Sequence, residues 1–472
     1  MKDFYPPQPQ IADYSFLNPS KNFVRKSIKV LLAIVLFYIF YLFLILISFG
    51  LFGICLNVSK AIMDIRSNWI TATLGGIVFF IGILFPSFLL KFFFPIKENR
   101  NTIGVEITAK EHPRLFDFIH HLVKEVKSSS PAKVFISADV NSAVFYNSSF
   151  WSLVFPIRKN LVIGLGLVNC INISEFKAVL AHELGHISQG TMRIGSYIYI
   201  LNRAIYNRIY EYDDFDLLLY KVAGHRGILG LIAGGVRFIL NSIRNLLGEA
   251  YKLISRYYTE LSREMEYNAD LVAVSVAGNT ATISALRRVS FGNEAYNQTI
   301  EHLNSLLKQK KITDNIFEKH LAMIAYMAKN KKLILNRNLP VLNDDIIEDN
   351  ALKSRLYFKE WLTHPEQKER EENINNVQVL AEINDASPWL LFENPEKVQK
   401  EQTLAFYGKI KEDEENAIEF INEVFFLESI DERKKKNSFP DVFNHFFDER
   451  YLFECDISKL DEEVPEFNIE LV

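Results

Sequence analysis

Two long uncharged runs limit what this chain can fold into. Val30 to Leu56 is 27 residues without a charge, rich in Leu, Ile and Phe, and Trp69 to Leu90 is a second run of 22. Each exceeds the roughly 20 residues that a helix needs to cross a bilayer. The first is too long for a cleaved signal peptide, and no small-residue cleavage site stands near its end. Both read as transmembrane helices, within residues 30–94, joined by a short external loop. Small residues in Thr71-Ala72-Thr73-Leu74-Gly75-Gly76 permit close helix packing. Lys21, Arg25, Lys26 and Lys29 precede the first span, and Lys91, Lys97 and Arg100 follow the second. The loop holds only Lys60 and Arg66, with Asp64. Positive charge stays on the cytoplasmic side, so residues 1–29 and everything beyond the second span are expected in the cytoplasm. Three cysteines with no paired framework suit a reducing compartment. A third apolar stretch, Gly227 to Gly248, is interrupted by Arg237 and Arg244 and reads as an interfacial or hairpin helix.

Downstream lies His182-Glu183-Leu184-Gly185-His186. Ile173, Phe176, Leu180, Leu184 and Ile187 form one apolar helical stripe around it, with Ser174 or Asn172 as N-cap and Gly190 where the pattern ends. Residues four apart share a helix face, so His182 and His186 can present two nitrogens to one ion. Glu183 sits beside them, placed to take a proton from water activated by that ion. A zinc peptidase needs such an arrangement: two neutral nitrogen ligands, an open coordination position and an adjacent base.

The third ligand must come from elsewhere. Gln189 and Met192 stand where a metzincin carries Gly and His, which excludes that class. Glu249 to Ala277 is a long helical pattern closed by Gly278-Asn279. Within it Glu266 and Asp270 lie four apart, with Arg263 one turn earlier, and Ala269, Ala273 and Ala277 form a small-residue stripe for close helix approach. Glu266 is read as the third zinc ligand, and Asp270 as a carboxylate that orients a ligand histidine.

These residues resemble metallopeptidase family 48, the gluzincin-type zinc endopeptidases that include the HtpX-like and CaaX prenyl protease branches. Ser262-Arg263…Glu266-Tyr267-Asn268-Ala269-Asp270 matches the family's S-R-x-x-E-Y-x-A-D signature in full. His112-Pro113-Arg114-Leu115-Phe116 resembles the start of its first soluble helix, and Asn141-Ser142-Ala143-Val144 occupies the place of its N-A-F-A. Thr363-His364-Pro365 with Arg370 resembles T-H-P-x-x-x-x-R. Ser142, Ala143, Glu366 and Glu371 depart from the family pattern. The resemblance implies a mainly α fold with a small β-sheet, an α+β zincin-like peptidase domain carrying N-terminal transmembrane helices. The edge of that sheet would receive the substrate. Further roles are implied: Asn141 in substrate binding, His364 as a second catalytic donor to the oxyanion, and Arg370 and Arg263 bracing Asp270. Ala132 to Ala138 reads as the strand that takes the substrate by main-chain hydrogen bonds.

Charge divides the remainder. Residues 371–472 hold 26 acidic and 10 basic side chains, so residues 1–370 carry a net charge near +12, suited to an anionic leaflet. Phe425, Phe426, Phe443, Phe446, Phe447, Tyr451 and Phe453 give the acidic part the aromatic mass of a folded helical appendage. The expected organisation is a peptidase domain at 95–380, with a membrane-associated segment at about 190–248 and a helical insertion at about 280–360. An extension at 381–472 follows as a surface for a protein partner. No Gly-rich phosphate loop, CxxC pair, nucleic-acid module or internal repeat is present. The expected function is Zn2+-dependent hydrolysis of polypeptide substrates at a lipid bilayer, in membrane-protein quality control. A CaaX-type processing peptidase and a non-catalytic membrane scaffold stand as alternatives.

Overall fold

The computed structural model describes residues 4–66, 68–90, 104–145, 159–188, 221, 224, 227–343, 365–408 and 418–438. Thr363, His364, Gln189 to Arg226 (apart from 221 and 224) and the aromatic residues from Phe443 onward lie outside that set.

The N-terminal helices are α1 (Lys21–Ile65) and α2 (Trp69–Leu90). Ser20 starts α1 by accepting the Phe23 N–H at 3.0 Å. The two helices meet where their side chains are small: the Ser59 hydroxyl donates to the Gly75 carbonyl at 2.7 Å, and a Cβ on Gly82 would lie 2.6 Å from Cys55 Cβ. The Tyr41 hydroxyl closes the contact on the Leu89 carbonyl at 2.6 Å.

Among the described residues, three helices are long and apolar enough to cross a membrane, the third lying within Ala233–Leu307. Burial separates them. The most apolar window is 22% buried in the first and 33% in the second, but 67% in the third. Apolar surface already covered by protein gains little from lipid. We therefore read α1 and α2 as the lipid-facing anchor. The third helix, α6 (Ile228–Leu307), serves two cores in turn. Its first half packs Val236, Leu240, Leu247, Ile254, Leu261 and Met265 against α1 and α2. Gly227 to Gly248, expected as an interfacial or hairpin helix, is almost wholly the opening of this longer helix. Arg244 does not end it, because its guanidinium is buried over the Phe88 ring at 5.2 Å.

Past Gly278 the helix restarts in the main core. Gly278 has φ 80°, and a Cβ there would lie 2.8 Å from Ala381 Cβ, so the break requires glycine. Ala281, Ala285, Phe291, Ala295 and Leu303 beyond the break, with Ile316, Phe317, Met323 and Ile324 at and in α7 (Ile316–Asn330), belong to the same core as the sheet. The stretch read as an insertion thus supplies core residues. So does the acidic part, through Leu391, Phe392, Val398, Phe426 and Ile430.

The sheet contains β1 (Val105–Ile107), β2 (Val134–Ser137), β3 (Ser142–Phe145) and β4 (Asn160–Gly164), in the order β1-β2-β4-β3. One expectation fails here. The strand within 132–138 is β2, which pairs antiparallel with β1 and parallel with β4. Both its hydrogen-bonding edges are used, so no substrate can add to it. Among the described residues β3 pairs only with β4 and forms the edge. Helices α3 (Pro113–Val126), α4 (Leu165–Cys170) and α5 (Ile173–Ser188) complete this layer.

On α5, Lys177 is fully buried. Its ammonium meets Glu125 at 2.8 Å, the Pro6 carbonyl at 2.9 Å and the Tyr5 ring at 4.5 Å. The N-terminal segment therefore braces the back of α5. Removing one partner of a buried ion pair typically costs 3–5 kcal/mol. Glu125→Ala is expected to destabilise by about 3 kcal/mol, read as a lower denaturant midpoint. Lys177→Met should also destabilise, because it leaves the buried Oε2 of Glu125 without its cation. Equal stability of wild type and Glu125→Ala would show that Lys177 is not charged in the fold.

Candidate metal centre

Asn172 and Glu175 start α5 with a reciprocal cap. The Asn172 side chain accepts the Glu175 N–H at 2.8 Å, and the Glu175 carboxylate accepts the Asn172 N–H at 2.9 Å. The expected apolar stripe is buried throughout, from Ile173 to Ile187. The opposite face carries His182 and His186 toward α6.

The two helices approach closely because the facing residues are small. A Cβ on Gly185 would lie 3.1 Å from Val272 Cβ and 3.4 Å from Ala269 Cα. Ala269, Ala273 and Ala277 are buried, as their spacing implies. This approach brings Glu266 between the histidines: its carboxylate lies 3.3 Å from His182 Nε2 and 3.6 Å from His186 Nε2. One donor atom from each of the three residues fits within 4.8 Å. Donors bound to one tetrahedral zinc at about 2.0–2.1 Å stand roughly 3.3–3.4 Å apart. The donor set, two imidazoles and a carboxylate with an adjacent acid, therefore fits such an ion in type and spacing.

A supporting layer fixes the first histidine. Asp270 lies 2.9 Å from His182 Nδ1, which leaves Nε2 to face Glu266. Asp270 is in turn held by Arg370 of α8 (Gln367–Asn375), at 2.8 Å through Nε and 2.6 Å through Nη2. Arg263 is turned elsewhere, pairing with Glu369 beside the Tyr267 hydroxyl and so securing α8 rather than the histidines. Asn141 is exposed, and its carbonyl accepts the Gly164 N–H at 2.7 Å at the start of β3. Farther along β3 the Val144 N–H donates to Glu183 at 3.3 Å, which sets the acid beside the open strand edge.

The electrostatics separate the groups. Burial opposes charge on His182, but hydrogen bonds to Asp270 and Glu266 outweigh it and raise its pKa to about 10. Burial and repulsion from His182 push His186 down to about 4. Burial raises Glu183 to about 7, with neighbouring charges acting in both directions. His186 is thus already in the neutral form that a metal ligand needs, whereas His182 must give up a proton. Arg370→Ala should loosen this layer. Loss of such outer partners typically weakens metal binding about 10–100-fold, measurable by competition with a chromophoric chelator. Unchanged affinity would mean that Asp270 holds His182 without its arginine.

A family model described as Peptidase family M48 matches residues 110–378. A protein named "Protease HtpX homolog" from Neisseria meningitidis serogroup C / serotype 2a is 23% identical over 297 residues, covering 59% of this chain and 95% of the relative. "Protease HtpX" from Pseudomonas entomophila is 24% identical over 233 residues, covering 47% of this chain and 73% of the relative. No solved structure matches the chain.

Proposed function

This chain belongs to peptidase family M48, and from that membership and the geometry of its two facing helices we propose that it is a membrane-anchored zinc endopeptidase. The observation that carries this reading is the convergence of His182, His186 and Glu266 within 4.8 Å, with Glu183 on the same helix and Asp270 behind. His182, His186 and Glu266 would hold the ion. When bound, zinc supplies a Lewis acid for the scissile carbonyl and lowers the pKa of water. Glu183 accepts the proton of the attacking water and passes it to the leaving amine. Its place on α5 beside the proposed ligands, largely out of bulk water, suits a group that must both take and return a proton. Its position next to β3 supports docking of an extended substrate on that edge, with Asn141 fixing one peptide group. His364 would donate to the oxyanion, by its place in the T-H-P pattern. Quality control of membrane proteins, with the peptidase domain in the cytoplasm, is the role this reading favours.

The test uses the full chain purified in detergent. One zinc per chain should be present and removable by chelation, with loss and recovery of cleavage of an unfolded polypeptide. Metal uptake should be accompanied by proton release, because hydrogen bonds to Asp270 and Glu266 hold on His182 a proton that a ligand must shed. Calorimetry in buffers of different ionisation enthalpy counts that proton. A purified chain that neither binds zinc nor cleaves any polypeptide would end the proposal and favour the scaffold alternative.

A further inference from the structure

The segment ahead of α1 reaches all three helices of the candidate metal site from behind. At its start the Tyr5 ring meets Phe118 edge-on at 4.9 Å, and Phe118 packs on Phe176 of α5 at 5.7 Å. The Pro6 carbonyl accepts from Lys177, which precedes His182 on α5. In its middle, Ile11 and Phe16 pack against a small core of Val274, Ile374 and Val379. Ile374 lies one turn past Arg370 on α8, and Val274 one turn past Asp270 on α6. At its end the Ser20 hydroxyl stands 3.5 Å from the Glu264 carboxylate, which Lys26 binds at 2.8 Å. Glu264 is on the same turn of α6 as Glu266.

The segment lies on the peptidase core without being built into it. No helix or strand forms between Pro6 and Tyr14. Toward the other described residues, the main chain from Phe4 to Asp13 makes one hydrogen bond, through the Pro6 carbonyl. Pro6, Pro7 and Pro9 fix their own φ, so little backbone freedom is lost when this stretch docks. Its hold on the core is therefore made mainly by side chains, spread over separate points. An element held in this way detaches at lower free energy than the core beneath it.

Resting on the peptidase reading above, we propose that residues 4–20 form a detachable strap that sets the metal affinity of the site, with Tyr5, Ile11 and Phe16 as positioning residues. Tyr5 acts through Phe118 and Phe176 on α5, the helix of both histidines. Ile11 and Phe16 act through Ile374 and Val274, which carry on the contact that joins Arg370 to Asp270 and so to His182. With the strap seated, the two sides of the donor set are held in one arrangement. Drawing it away loosens both sides together, and zinc binds more weakly.

The test compares the full chain in detergent with a chain lacking residues 2–17, which keeps the Ser20 cap and Lys26. Zinc affinity is read by competition with a chromophoric chelator, beside circular dichroism and melting. The truncated chain should bind zinc about 10–100-fold more weakly. A synthetic peptide of residues 1–17 added to it should restore the affinity, and the same peptide with Tyr5→Ala and Phe16→Ala should not. Point variants of the full chain carry the test if the truncated chain does not fold. Tyr5→Ala and Phe16→Ala should each weaken zinc binding about tenfold, while Tyr5→Phe, which keeps the ring, should bind as wild type. Phe16→Ala should add little to Arg370→Ala, because it acts through that residue. Wild-type zinc affinity in the folded truncated chain, or in both alanine variants, would overturn the proposal even if melting fell, since a merely structural segment would lower stability alone. Full additivity of Phe16→Ala and Arg370→Ala would overturn the route through α8. Failure of the unaltered full chain to bind zinc would instead count against the peptidase reading itself.

Discussion

Glu266→Ala is expected to leave a folded chain that holds no zinc and cleaves nothing. The side chain lies between His182 Nε2 and His186 Nε2, at 3.3 and 3.6 Å. It supplies the only carboxylate in the donor group found among the described residues. Losing an outer partner weakens such sites about 10–100-fold. Losing one of three direct donors should exceed that and bring zinc below stoichiometry after dialysis. The fold should survive. Glu266 lies on a continuous helix whose packing rests on Leu261, Met265 and Ala269, and alanine favours helix. Metal analysis beside circular dichroism separates loss of zinc from loss of structure. Full zinc occupancy in this variant would remove Glu266 from the ligand set and point to another carboxylate.

Glu183→Gln should do the opposite, retaining zinc and losing turnover. The amide keeps the shape of the carboxylate and can still accept the Val144 N–H, but it cannot take a proton from water. General-base catalysis contributes about 10²–10⁴-fold, so kcat should fall by that order with KM little changed. With zinc removed from both proteins, the variant should also be the more stable protein at high pH. Burial raises the Glu183 pKa to about 7, above the 4.5 of an unfolded glutamate. Between those values the folded state binds the proton that the unfolded state has released. The stability contribution of Glu183 therefore falls as pH rises from 4.5 to 7 and stays low above it. A neutral glutamine avoids that loss, so melting of Glu183→Gln protein should match wild type in acid and exceed it above pH 7. Near-normal proteolysis by this variant would show that another group activates the water. Zinc lost together with activity would mean that Glu183 shapes the metal site.

Much of the site was legible because helices write their faces into sequence locally. Four-residue spacing put His182 and His186 on one side of α5, and Glu266 and Asp270 on one side of α6. The stripe Ala269, Ala273, Ala277 announced a helix that another approaches closely, and α5 does so at Gly185. Asn172 and Glu175, three apart, carried a reciprocal cap that the sequence reading reduced to a choice between Asn172 and Ser174. Lys177 gave no local signal at all, since its partners Glu125 and Pro6 come from distant parts of the chain.

By itself, then, the sequence determined the elements: two anchor helices from uncharged length, the metal-site helices from their period, and the residue types that metal chemistry requires. These depend on neighbours within a turn or two. Only the tertiary structure decided which strand is the edge. Residues 132–138 read as the strand that takes the substrate, but β4 lies between β2 and β3 and leaves β3 at the edge beside Glu183. Only the tertiary structure turned Arg263 away to Glu369, leaving Asp270 to Arg370, a hundred residues on. It also joined what composition had divided, drawing Phe291, Phe317 and Phe426 into one core with the sheet. The physical reason is the same throughout. Strand order, ion-pair partners and core membership are closed by contacts between segments far apart in the chain, and local periodicity carries no information about which distant segment arrives.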